Sequence, residues 1–116
     1  MMEYDEQLLA KMTAEKKLLS LLGLAEKAGY IGSGEFSTEK AVKEGEARLV
    51  IVAADASDNT KKQFRNMCEY YNVPFHCFAA KDMLGHAIGK EFRASVAVKD
   101  AGMANAMEKH LRVLEM

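Results

Sequence analysis

"RLVIVAA", residues 48–54, is apolar at every position after its arginine and rich in β-branched side chains. Such a run suits a strand covered on both faces, as in a parallel sheet, rather than one with a wet side. A strand of that kind needs helices above and below it, and the flanking sequence supplies them. Upstream, "SGEFSTEKAVKEG", residues 33–45, reads as a helix over 34–44 that stops at Gly45. Thr38, Ala41, Val42 and Gly45 fall at i, i+3, i+4 and i+7, a stripe of small residues able to lie close against a sheet. Downstream, Ser57 or Asp58 caps a further helix in which Phe64, Met67, Cys68 and Tyr71 repeat the same spacing.

The alternation continues to both ends. Thr13 is a candidate N-cap for a helix over 14–28, with Leu18, Leu21, Leu22 and Ala25 inward and Gly29 as a left-handed C-cap. "YIGS", 30–33, is a short extended piece. "VPFHCF", 73–78, is a strand that Pro74 moves to an edge or a strand start. Residues 81–88 form a short helix with Met83, Leu84, Ala87 and Ile88 inward, and "ASVAV", 94–98, is another strand. Asp100 caps a last helix that turns Met103, Ala106, Met107, His110 and Leu111 to the core. Helices alternating with extended pieces predict an α/β sandwich, with helices on both faces of a small, mixed four-stranded sheet. The methionines sit at helical core spacings and read as core filler.

The totals fit one domain. A chain of 116 residues buries about two-thirds of the surface its unfolded form exposes. Hydrophobic residues at 49% against 28% charged ones predict a packed core rather than disorder. Residues 1–12 read as an appendage, and the compact domain is expected over 13–116. Net charge is −1, so a basic footprint for nucleic acid has to be local rather than global. Cys68 and Cys77 have neither the number nor the spacing of a disulfide framework or a metal site, and read as reduced thiols. The acidic "MMEYDEQLLAKM" lacks the basic and apolar regions of a signal peptide, and no apolar run reaches the roughly 18 residues of a membrane span. A cytoplasmic protein without membrane attachment is expected.

The helix over 34–44 carries the most informative face. At about 100° per residue, Phe36 points away from the small-residue stripe, and Lys40 and Lys43 share its side. The start of a helix offers free amides and a dipole that favour an anion, and the Ser33-Gly34 step lets a backbone approach. An exposed ring can stack a nucleobase, and lysines one and two turns along can neutralise phosphates. Glu35, Glu39 and Glu44 oppose a phosphate backbone that runs over them. The alternative has Phe36 tucked under a loop and the lysines as a solvated face.

At these residues the sequence resembles a known family. "GEFSTEKAVKEGEARLVIVAADAS", then "YYNVPF", "LGHAIGKE" and "VAV", are similar to the ribosomal-protein family called L-seven-Ae, with its L-thirty-e relatives, over roughly residues 14–108. The likeness is greatest to the small bacterial YlxQ-like branch. The resemblance implies a three-layer α/β/α sandwich and, for many members, binding to kink-turns, RNA helix–bulge–helix elements with tandem sheared G·A pairs.

It also implies a site. The family's RNA helix opens with a Gly-x-Asn-Glu-x-x-Lys pattern; Gly34 matches its glycine and Lys40 its lysine. Phe36 stands at the Asn position and Ser37 at the Glu position, so the side chains that hydrogen-bond sheared purines are replaced by a ring and a hydroxyl. The family's second contact, the loop before the last strand, falls on Gly89, Lys90, Glu91, Phe92 and Arg93. Bottom-up, "GKEFR" is a glycine-hinged basic loop whose Phe92 points either outward or in at the strand start. The candidate RNA-binding residues are therefore Gly34, Glu35, Phe36, Ser37, Lys40, Lys43, Lys90, Glu91, Phe92 and Arg93.

No catalytic constellation emerges. His76, His86 and His110 share no recognisable spacing with either cysteine or a serine, and no phosphate-binding glycine motif is present. Asp55 follows the central strand, where α/β sheets place functional groups, but reads as a cap of the following loop. No cofactor or metal is expected. The expected partner is RNA, ribosomal or otherwise structured, and not DNA. The alternative is a protein-interaction adaptor that docks its aromatic face on ribosomal or ribosome-associated proteins.

Overall fold

A computed structural model describes residues 5–116. The elements run α1 (Glu6–Lys27), β1 (Ile31–Ser33), α2 (Glu35–Lys43), β2 (Leu49–Val52), α3 (Asp58–Tyr71), β3 (Phe75–Cys77), α4 (Lys81–Ala87), β4 (Ser95–Val98) and α5 (Ala101–Leu114). The four strands form one sheet in the order β1-β4-β2-β3. The β2–β3 pair is parallel, while β2–β4 and β4–β1 are antiparallel, so the sheet is mixed. All four residues of β2 and of β4 are buried, as expected for the central strands between two helical layers. β3 is an edge strand and directly follows Pro74, whose carbonyl accepts the Val50 N–H at 2.9 Å. On one face α2 packs on β4, β1 and α3; on the other α1 packs on α5 and α4, and α5 on β4. The fold is the three-layer α/β/α sandwich.

The inward stripes follow the sequence with three departures. Leu18, Leu22, Ala25, Thr38, Ala41, Val42, Phe64, Cys68, Leu84, Ile88, Met107 and Leu111 are buried. Met83 is exposed instead, because α4 turns Leu84 and the side-chain-less Gly85 inward. Tyr71 and Gly45 are also exposed, lying at or beyond the ends of their helices. The caps are those the sequence names for α3 and α5: the Ser57 hydroxyl accepts the Thr60 N–H at 3.1 Å and the Asp100 carboxylate accepts the Met103 N–H at 2.9 Å.

The first helix begins earlier than its sequence suggests. Asp5, not Thr13, is the N-cap, with its carboxylate accepting the Gln7 N–H at 2.9 Å. Residues 6–12 are nearly all strong helix formers, so Thr13 is simply carried inside the helix. Residues 1–4 of the expected appendage lie outside the described residues. In its described part, Leu8, Leu9 and Met12 are exposed, and Ala14 is the first buried side chain of the helix.

One polar pair is sealed inside the sheet–helix layer. The Ser95 hydroxyl donates to Thr38 Oγ1 at 3.1 Å, and both residues are buried. Thr38→Val keeps the shape but leaves the Ser95 hydroxyl unpaired, and is expected to cost about 1–3 kcal/mol in urea denaturation. Adding Ser95→Ala should recover part of that loss. Deleting residues 1–11 should leave the melting temperature almost unchanged, since Thr13 can then act as a cap. A fall of more than about 4–8 °C, near 1 kcal/mol for a domain of this size, refutes that expectation.

Candidate nucleic-acid interface

Gly34 sets the start of α2. Its φ of 89° and ψ of 167° lie in a region that essentially only glycine occupies. The Gly34 N–H donates to the Ser95 carbonyl at 2.9 Å. With no side chain, Gly34 provides no cap acceptor, so the first-turn amides of α2 remain available to an anion. Nothing lies within 4 Å of where a Cβ would stand. Two residues on, Phe36 is 78% exposed, not tucked under a loop. Lys40, one turn further, is exposed and makes no ion pair among the described residues. Lys43 differs. Its ammonium lies 2.6 Å from Glu39 Oε1, and that hydrogen bond and charge hold its pKa above the usual lysine value. Lys40 is therefore the uncommitted cation of this face.

The loop between α4 and β4 is held from three directions. Gly89 adopts a left-handed φ of 74°, which reverses the chain so that the Lys90 N–H reaches the Gly85 carbonyl at 2.8 Å. A Cβ on Gly85 would stand 2.6 Å from the Glu91 carbonyl oxygen, so the loop lies directly on that glycine. The Arg93 N–H donates to the Lys81 carbonyl at 3.1 Å. The Arg93 side chain then crosses to β1, where Nε donates to Ser33 Oγ at 3.1 Å, while Nη1 donates to the Phe92 carbonyl at 2.7 Å. Phe92 itself points outward and is 64% exposed.

The two segments border one hollow of about 530 Å³. Phe36, Ser37 and Lys40 line it from α2, Lys90 from the loop, and Ile31 and Gly32 from β1. Lys99 also lines it, 3.7 Å from Glu46, as do Glu26 and Glu44. Four of the ten residues singled out in the sequence, Phe36, Ser37, Lys40 and Lys90, thus line one hollow. Arg93 is half-buried and committed to Ser33, so it fastens the loop rather than presenting a free cation. Glu35 and Glu91 are exposed carboxylates. Sequence reasoning missed Gly85, Ser95 and Lys99, and named Ser33 without its partner Arg93. A glycine inside a helical segment costs stability, and that alone was a signal for Gly85.

Asp55, His76 and Cys68 have other partners or surroundings. Asp55 Oδ1 accepts the Lys81 N–H at 2.9 Å and so caps α4. The His76 ring pairs with the Glu115 carboxylate. Burial pushes the Cys68 thiol up to about 11, the opposite of what a nucleophile needs. Among the described residues no cluster of His, Cys, Asp or Glu could hold a metal ion. No helix of these residues is long and apolar enough to cross a membrane.

The family model described as "Ribosomal protein L7Ae/L30e/S12e/Gadd45 family" matches residues 16–108. The chain belongs to this family. It is 44% identical over 87 residues to the RNA-binding protein YlxQ of Bacillus subtilis (strain 168), covering 75% of this chain and 87% of that protein. A structure of a protein with unknown function from Bacillus halodurans superposes with a TM-score of 0.80 at 41% identity, over 83% of this chain and 97% of that one. The Giardia lamblia 15.5kD RNA binding protein superposes with a TM-score of 0.71 at 25% identity, over 97% and 91% of the two chains.

Gly85→Ala should displace the 89–93 loop and destabilise the domain by about 1–3 kcal/mol, the usual cost of overpacking. The check is urea denaturation together with amide chemical shifts. The largest shifts are expected at Glu91 and Phe92, with β2 unmoved.

Proposed function

We propose that this chain is a non-enzymatic, cytoplasmic RNA-binding protein of ribosomal-protein type. In this reading it holds structured RNA of the kink-turn class against the start of α2 and the 89–93 loop. One observation carries the proposal: an exposed ring at the uncapped start of α2, Phe36, shares a hollow with Lys90 of that loop and with Lys40, which has no ion pair among the described residues. Family membership and relatives named as RNA-binding proteins support it. Amides at a helix start and Lys40 and Lys90 supply the attraction for phosphate, while Gly34 leaves room for a backbone to approach.

A second reading, a protein-interaction adaptor, has the exposed Leu8, Leu9 and Met12 and the exposed rings of Phe36 and Phe92 in its favour. Ribosomal or ribosome-associated proteins captured in an RNase-insensitive pull-down would support it.

Gel shifts at moderate salt with a kink-turn RNA, and with the same RNA after replacement of its G·A pairs, test the proposal. Binding is expected, tighter for the intact kink-turn. Binding to neither RNA overturns the proposal, and equal binding keeps RNA but removes kink-turn recognition. Lys40→Ala should weaken binding and lower the salt slope by about one unit. Lys43→Ala should do less, because Glu39 already holds that ammonium.

A further inference from the structure

We propose that Phe36 is a stacking platform for one unpaired nucleobase, and that the RNA this protein takes carries such a base beside a paired segment. The inference rests on the RNA-binding reading above and specifies what its site reads. Phenylalanine has no hydrogen-bonding group, so Phe36 cannot read the edge of a base; it can only cover a face. Bases within a duplex have both faces covered by their neighbours. Away from the end of a helix, only an unpaired base offers a free face to the ring.

The surroundings fit a single nucleotide. The ring stands largely in solvent at the rim of a hollow of about 530 Å³, within the roughly 300–1,000 Å³ of small-ligand sites. Lys40 and Lys90 line that hollow and make no ion pair among the described residues, so they can receive the phosphates on either side of the base. Glu26, Glu44 and Glu46 line the same hollow. Their charge repels a longer run of phosphates, which limits the site to a short excursion of the strand. Ser37 adds one hydroxyl, too little to distinguish four bases. The site should therefore tolerate any base identity and depend on a base being present.

The chain contains no tryptophan, so Phe36→Trp creates a single reporter at the site. Its fluorescence should be quenched by a duplex with one unpaired nucleotide, and not by the same duplex with that nucleotide removed or made abasic. In parallel, Phe36→Ala should weaken binding of the base-containing RNA about 5- to 140-fold, the span of one stacked base. Its effect on the abasic RNA should be small. Circular dichroism checks that both variants are folded, as the exposure of the side chain predicts. Base-containing RNA that binds Phe36→Trp without quenching, or an equal loss for base-containing and abasic RNA on Phe36→Ala, overturns the stacking role and leaves the RNA-binding reading standing. No binding of any of these RNAs, or of the kink-turn, overturns both.

Discussion

Ser95 holds the start of α2 with its main chain and its side chain at once. Its carbonyl accepts the Gly34 N–H at 2.9 Å, and its hydroxyl donates to Thr38 one helical turn further on at 3.1 Å. The second bond is fully buried, where an unmade hydrogen bond is costly, so the helix has one seat on β4 and cannot slide along it. Two residues before Ser95, Arg93 reaches Ser33 on the neighbouring strand. These cross-links close the seam between β1 and β4 from both sides. Phe36 and Lys40 on one segment, and Lys90 and Phe92 on the other, consequently keep a fixed relation.

The layered fold was legible because its signals are local. The period of the apolar positions, the caps at Ser57 and Asp100, and the all-apolar β2 each depend on a few consecutive residues. The misreadings arose where a local signal had a competitor. Thr13 is a good cap, but seven helix formers precede it and Asp5 caps them first. Met83 has the apolar character of a core residue, yet the close packing of the loop on Gly85 fixes which face of α4 turns inward. The outward direction of Phe36 followed from helix phase. The roles of Arg93 and Ser95 did not, because they depend on partners 60 and 57 positions away.

Charge on the candidate surface is locally organised rather than summed. The chain is close to neutral overall, and its lysines are sorted by their neighbours. Lys43 is paired with Glu39 on the same helix and Lys99 lies near Glu46, whereas Lys40 and Lys90 line the hollow without an ion-pair partner among the described residues. Composition reports none of this. A protein with a pI near 6.3 can still present two lysines in the same hollow as an aromatic ring, and the carboxylates around them confine that attraction to a small area.

The exposure of Phe36 also bears on how such a protein can diverge. Its side chain supports almost nothing in the core, so exchanging it should leave stability nearly unaffected. Gly34, Gly85 and Ser95 have no such freedom, being held by backbone conformation, by contact and by buried hydrogen bonds. The scaffold and the exposed face of α2 therefore make separate demands on the sequence. Position 36 can pass between a polar side chain and a ring with no compensating change elsewhere in the domain.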